Sequence, residues 1–116
     1  MSVKDNHIAA LREELREDFL GQADWRHQKA FEYPEDKRNL RAAERYERLA
    51  GTVDEVPGEL LVAYKELYET EHEVEIYWEL MKRLFYVDTP ATATEFVRCF
   101  ISRVTQGIEP LNKAGK

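Results

Sequence analysis

The 116-residue chain holds a single cysteine, Cys99, and only five glycines and four prolines. One cysteine excludes an internal disulfide, so a reducing compartment suits the chain and a cytoplasmic location is expected. So few Gly and Pro leave long stretches with nothing to interrupt a helix. No apolar run approaches the roughly 20 residues of a membrane span, so no membrane association is expected. The opening Met1-Ser2-Val3-Lys4-Asp5-Asn6-His7 lacks the apolar core of a signal peptide. Basic residues are also in deficit, 17 Lys and Arg against 23 Asp and Glu, for a net charge of −6. A general nucleic-acid binder needs a basic face that releases counterions, so direct nucleic-acid binding is not expected.

What is present is a chain 43% hydrophobic and 34% charged, the balance of a helix-rich globular domain rather than a disordered segment. Its length supports one core, so a single helical domain over 1–116 is expected, with a mobile polar tail from about 112. Alternating strand-like stretches are absent. The expected fold class is all-α, a helical bundle of four to five helices organised around one long helix at about 57–87.

That stretch has no internal Gly or Pro. Leu60, Tyr64, Leu67, Glu71, Val74, Trp78, Met81 and Phe85 alternate spacings of 4 and 3, the seam of a helix packed lengthwise on another. At 1.5 Å per residue such a helix runs about 45 Å, so it either bends near Thr70 or finds cover from a second copy. Its first half is amphipathic. From Ile76 to Val87 apolar residues appear all round, so that end should be enclosed by the chain or by a twin. Glu71, a charged member of the seam, calls for an arginine partner (Arg41, Arg45, Arg98 or Arg103) or an exposed position.

Ahead of this segment, Ile8, Leu11, Leu15 and Phe19 form one apolar stripe. Gly21 is expected to break or bend that helix, with Asp24 opening a second piece over 25–32; the alternative is a helix that continues through the glycine at modest cost. Pro34, Glu35 and Asp36 open the next helix, which runs to Ala50 on a thin stripe of Leu40, Ala43, Tyr46, Leu49 and Ala50, ahead of Gly51. Residues 52–58 read as a connecting loop. Thr92-Ala93-Thr94-Glu95 is a full capping box for the last helix. Its stripe is Val97, Ile101, Val104, Ile108 and Leu111, flanked by Phe96 and Phe100, with Gly107 and Pro110 near its end.

The chemistry legible in the chain is sparse. Glu69-Thr70-Glu71-His72 is an E-x-x-H pattern, and Glu69, His72 and Glu73 are the candidate metal ligands, but a di-iron bundle needs two such motifs and two further glutamates. Asp24-Trp25-Arg26-His27 is the nearest complement. Glu13-Glu14-Leu15-Arg16-Glu17 resembles the E-E-x-x-E helix of MazG-type nucleotide pyrophosphohydrolases. Its companion stretch, 32–36, contains Pro34 and opens a new helix, so those carboxylates do not share one face. Cys99 among Phe96, Phe100 and Ile101 reads as a small buried hydrophobe. No cofactor and no catalytic residue is assigned.

Charge is unevenly spread, with Lys65 alone against nine acids over residues 51–80. The expected interaction surface is Glu66, Glu69 and Glu73 with Ile76, Leu80 and Val87. The primary expectation is a small acidic, non-enzymatic interaction or regulatory protein. It would be a homodimer through 76–87 and meet a protein partner with a basic surface. The alternatives are a small helical metal-dependent enzyme using carboxylates and His72, and an acidic nucleic-acid mimic that inhibits a DNA- or RNA-binding protein.

Overall fold

The computed structural model describes residues 3–106, and the side chains of all of these except 3, 4 and 71–73. Five helices follow one another: α1 (Val3–Glu32), α2 (Lys37–Gly51), α3 (Gly58–Tyr68), α4 (Glu71–Tyr86) and α5 (Ala93–Gln106). A 3-10 turn, Val53–Glu55, joins α2 to α3. No strand occurs among the described residues, and the chain is an all-α bundle.

The long helix is α1, not the 57–87 stretch. Leu11, Leu15, Phe19 and Ala23 recur every four residues and are all buried, so the apolar stripe passes straight through the position of Gly21. That glycine is exposed, and a Cβ placed on it would meet nothing within 4 Å. A mid-helix glycine costs about 1 kcal/mol, less than the packing of residues 22–32 on α2 returns, and the expected break does not occur.

The 57–87 stretch is two helices. The Thr70 hydroxyl donates to the Leu67 carbonyl at 2.5 Å, and the Glu69 N–H donates to Lys65 at 3.2 Å, which closes α3. The bend lets both segments lay rings on α5. Tyr64 meets Phe100 at 4.8 Å between centroids, Tyr77 meets Phe96 at 5.8 Å, and Phe19 of α1 closes on Phe96 at 5.1 Å, edge to face. A straight helix would have carried one of those segments away from this shared core. The side chain of Glu71 lies outside the described residues, as do those of Ile108 and Leu111 and the tail from 112.

Asp36, not Pro34, starts α2: its carboxylate accepts from the Arg38 N–H at 3.1 Å. The buried face of α2 is Asn39, Ala42, Ala43, Tyr46, Leu49 and Ala50, with Leu40 turned out to solvent. The small side chains let α1 approach closely. Residues 52–58 do more than connect, since Val53 and Val56 are fully buried. Gly58 lets Ile8 of α1 pack close, since a Cβ there would sit 2.6 Å from Ile8 Cδ1 and turn the tip of that side chain aside.

Half of the capping box of α5 forms as expected, with Glu95 N–H donating to Thr92 Oγ1 at 3.2 Å, while the Glu95 carboxylate accepts from the Ala91 N–H, at 3.5 Å, rather than from that of Thr92. Thr52 Oγ1 accepts from the Ala93 N–H at 2.8 Å and donates to the Leu49 carbonyl at 3.0 Å, joining the end of α2 to the start of α5. At the other end of α4, Asp88 adopts a left-handed φ of 62°. Arg45 holds it: Nε sits 2.8 Å from the Asp88 carboxylate while Nη1 donates to the Leu84 carbonyl at 2.6 Å.

Candidate functional site

The chain itself covers most of the apolar end of α4. Tyr77, Leu80, Met81, Leu84 and Phe85 are buried and Ile76 is half-buried, leaving Val74, Trp78, Tyr86 and Val87 exposed. Leu80 is only 3% exposed and therefore belongs to the core, not to a surface. Val87 stays exposed at the end of α4, while Glu66 and Glu69 are exposed on α3. Glu73 and His72 have side chains outside the described residues. Of the six residues expected to share one interaction surface, the five whose side chains are described are divided between exposed positions on α3 (Glu66, Glu69), a half-buried one (Ile76), the core (Leu80) and the far end of α4 (Val87).

A different surface is assembled where α1 and α4 stand apart over α2. It is a groove of about 600 Å³ lined by Gly21, Gln22, Trp25, Arg26, Tyr46, Trp78, Met81 and Lys82. Tyr46 and Met81 form its buried floor, and the Tyr46 hydroxyl donates to the Met81 carbonyl at 3.0 Å, fixing α4 on α2. Trp25 and Trp78 are each close to half exposed, 48% and 47%. Both lips carry a cation, Arg26 from α1 and Lys82 from α4, and no acid lines the groove.

The Arg26 guanidinium lies 4.6 Å from the Trp25 ring and 4.1 Å from the Phe85 ring, and donates to Asn39 Oδ1 at 3.0 Å. Its Nε is buried without a hydrogen-bond partner. Lys29 sits 5.2 Å from Trp25 and 5.9 Å from Tyr33, and Arg38 covers Phe85 and Tyr86 at 5.1 and 5.6 Å. Cations spaced this way are held by ring faces. The result is a continuous band of aromatic and cationic groups running from Trp25 through Phe85 to Tyr86. Arg38 hydrogen-bonds Asp36 and holds that carboxyl below its usual range.

The opposite electrostatics develop along α1 and α3. Lys65, the lone base of its stretch, is engaged by Glu14 of α1. Burial pushes the Asp18 carboxyl up, and the neighbouring Glu14 charge adds to the rise. The acidic face of α3 therefore continues onto α1. The sequence periodicity did not reveal this extension, because it depends on which helices become neighbours.

A second groove, about 470 Å³, separates α4 from α5 and is lined in part by Arg83, Arg98, Arg103 and Cys99. Arg103 forms a bidentate pair with Glu79, with Nη2 to Oε2 at 3.2 Å. Burial pushes the Cys99 thiol up and Glu95 adds to it, so the thiol is held neutral rather than activated. Among the described residues, no three His, Cys, Asp or Glu side chains come together as a metal site, and no helix is long and apolar enough to cross a membrane.

Trp78 is a surface residue that the 4-and-3 spacing assigned to packing, and Trp25 fell in no apolar stripe. The usable signal was polar company, since Glu75, Trp78 and Lys82 fall at spacings of 3 and 4 on one side of α4. Comparison with protein-family models, curated proteins and solved structures finds nothing that matches this chain.

Proposed function

We propose that this chain is a small, non-enzymatic protein-interaction module that self-associates through the open side of α1 and α4. The acidic α3 face is left to meet a protein partner with a basic surface. The observation that carries this reading is the α1–α4 groove, with two half-exposed tryptophans, a buried apolar floor and cations on both lips. Large aromatics flanked by polar groups are the residues that anchor protein interfaces, and a half-exposed tryptophan gains most when a partner removes the remaining water. Glu66 and Glu69 suit the basic partner because both are exposed and because Lys65 beside them is already engaged by Glu14. A neutral, half-buried Cys99 thiol is at home in a reducing compartment and supports a cytoplasmic location.

Sedimentation equilibrium over a wide concentration range tests the self-association. The expected outcome is a weight-average mass that climbs from the 13.7 kDa of one chain toward twice that value. A constant mass of one chain up to high micromolar concentration rejects it.

A further inference from the structure

Helix α4 carries a strip that complements itself. Trp78 stands at its middle, half exposed, with exposed Val74 four residues before it and exposed Lys82 four residues after it. Glu75, also exposed, lies three residues before Trp78. Neither Glu75 nor Lys82 has an ion pair among the described residues, whereas the neighbouring Glu79 is already held by Arg103. Seven residues separate Glu75 from Lys82, about 10 Å along the axis, so the two do not neutralise each other within one helix.

At 100° per residue, Glu75 and Lys82 sit about 60° and 40° from Trp78, on the same flank. A two-fold axis set across the helix at the level of Trp78 reverses its direction and keeps that flank on the same side. Lys82 of a second copy then falls at the height of Val74 and Glu75. The symmetry repeats the match at the other end.

From this geometry we infer that α4 pairs antiparallel with α4 of a second copy of this chain. Trp78 lies against its own counterpart at the axis, and two reciprocal Glu75–Lys82 ion pairs flank it. The inference rests on the self-association proposed above and supplies its register. The contact is isologous: each copy offers the same patch, so the pairing closes at two rather than propagating. The tryptophans supply the apolar centre, and the ion pairs set direction, because a parallel arrangement would carry the two charged flanks to opposite sides of the seam and leave Glu75 and Lys82 without each other. Trp25 lines the same groove as Trp78 and lies where the edge of such an interface would reach α1.

The experiment compares association constants by sedimentation velocity for the parent, Trp78→Ala, Glu75→Lys and Lys82→Glu. An equimolar mixture of the last two is run alongside, and circular dichroism melts confirm that each variant is folded. All three positions are exposed, so the helical signal should be retained. Trp78→Ala is expected to lower the association constant by at least about tenfold, as loss of a central aromatic anchor does. Each charge reversal alone is expected to lower it about fivefold, the scale of two exposed ion pairs replaced by like charges. The mixture is expected to recover the parent value within about twofold, the scale set by two such pairs. In the mixed dimer the two substituted positions face each other with opposite charges, and the unchanged Lys82 of one copy faces the unchanged Glu75 of the other. A parent that stays monomeric overturns both the self-association and this register. A dimer that ignores the charge reversals, or a mixture no tighter than its components, overturns the register alone and leaves self-association standing.

Discussion

Two sides of this molecule are built from the same kind of residue and treat it in opposite ways. Between α3, α4 and α5, aromatic rings meet other rings: Tyr64, Tyr77, Phe96 and Phe100 interlock with Phe19 and are buried. Between α1 and α4, aromatic rings meet cations. Trp25, Tyr33 and Tyr86 lie under Arg26, Lys29 and Arg38 and remain exposed. Ring against ring is a dry contact that closes on itself. A ring beneath a hydrated cation has one face occupied and an edge still open to a partner. Aromatic content therefore does not by itself mark core. Phe85, buried yet stacked under Arg26 and Arg38, is where the two kinds of contact meet.

The sharpest way to break this comparison is to truncate one ring from each side. Phe96→Ala is expected to cost about 3–5 kcal/mol in urea-induced unfolding, because a fully buried ring leaves a cavity that its neighbours fill only in part. Trp25→Ala is expected to cost less than about 1 kcal/mol at concentrations where the chain is monomeric, because half of that ring is already in water. Equal costs would erase the distinction.

Arg45→Ala comes next, at about 2 kcal/mol, since it removes a hydrogen bond to the Leu84 carbonyl and an ion pair with Asp88 made by a largely buried charge. Thermal melting should show the loss together with reduced helicity of α4, and an unchanged midpoint would mean that Asp88 holds its left-handed turn unaided.

The smallest effect sharpens the electrostatic side of the contrast. The Asp18 carboxyl is raised in the folded chain, so its ionised form opposes folding above that raised value. The penalty fades as pH falls through the folded value and is gone below the ordinary carboxylate range. Asp18→Asn should therefore raise the melting midpoint by about 1–2 °C at pH 7, on the scale of a few tenths of a kcal/mol, and by nothing near pH 3. A gain that persists in acid would show that the effect is not ionic.

The sequence carried the helical class, the capping of α5 and the end of α2, because each rests on local patterns that tertiary contacts had no reason to override. The continuity of α1 through Gly21 was hidden, since a glycine signals a stop only when nothing packs on either side of it. Val53 and Val56 looked like loop residues because a 3-10 turn has too few residues to show a period. The two helices in 57–87 share one unbroken seam, so the sequence offered a bend near Thr70 only as one of two outcomes, and the shared docking on Phe96 and Phe100 decides for it. At the candidate site, the acidic face of α3 was legible as charge. The groove was not, because its two tryptophans come from helices more than fifty positions apart.

The hydroxyl of Thr52 has a consequence for how the fold holds together in time. It gives its proton to Leu49 at the end of α2 and takes one from Ala93 at the start of α5, so one oxygen serves two helix ends 41 residues apart. If the last turn of α2 frays, the first amide of α5 loses its acceptor. If α5 lifts, the threonine is released to water. One oxygen thus couples the two ends, and the stretch from α3 to α4, which carries the proposed interface, is tethered between them like the span between two piers.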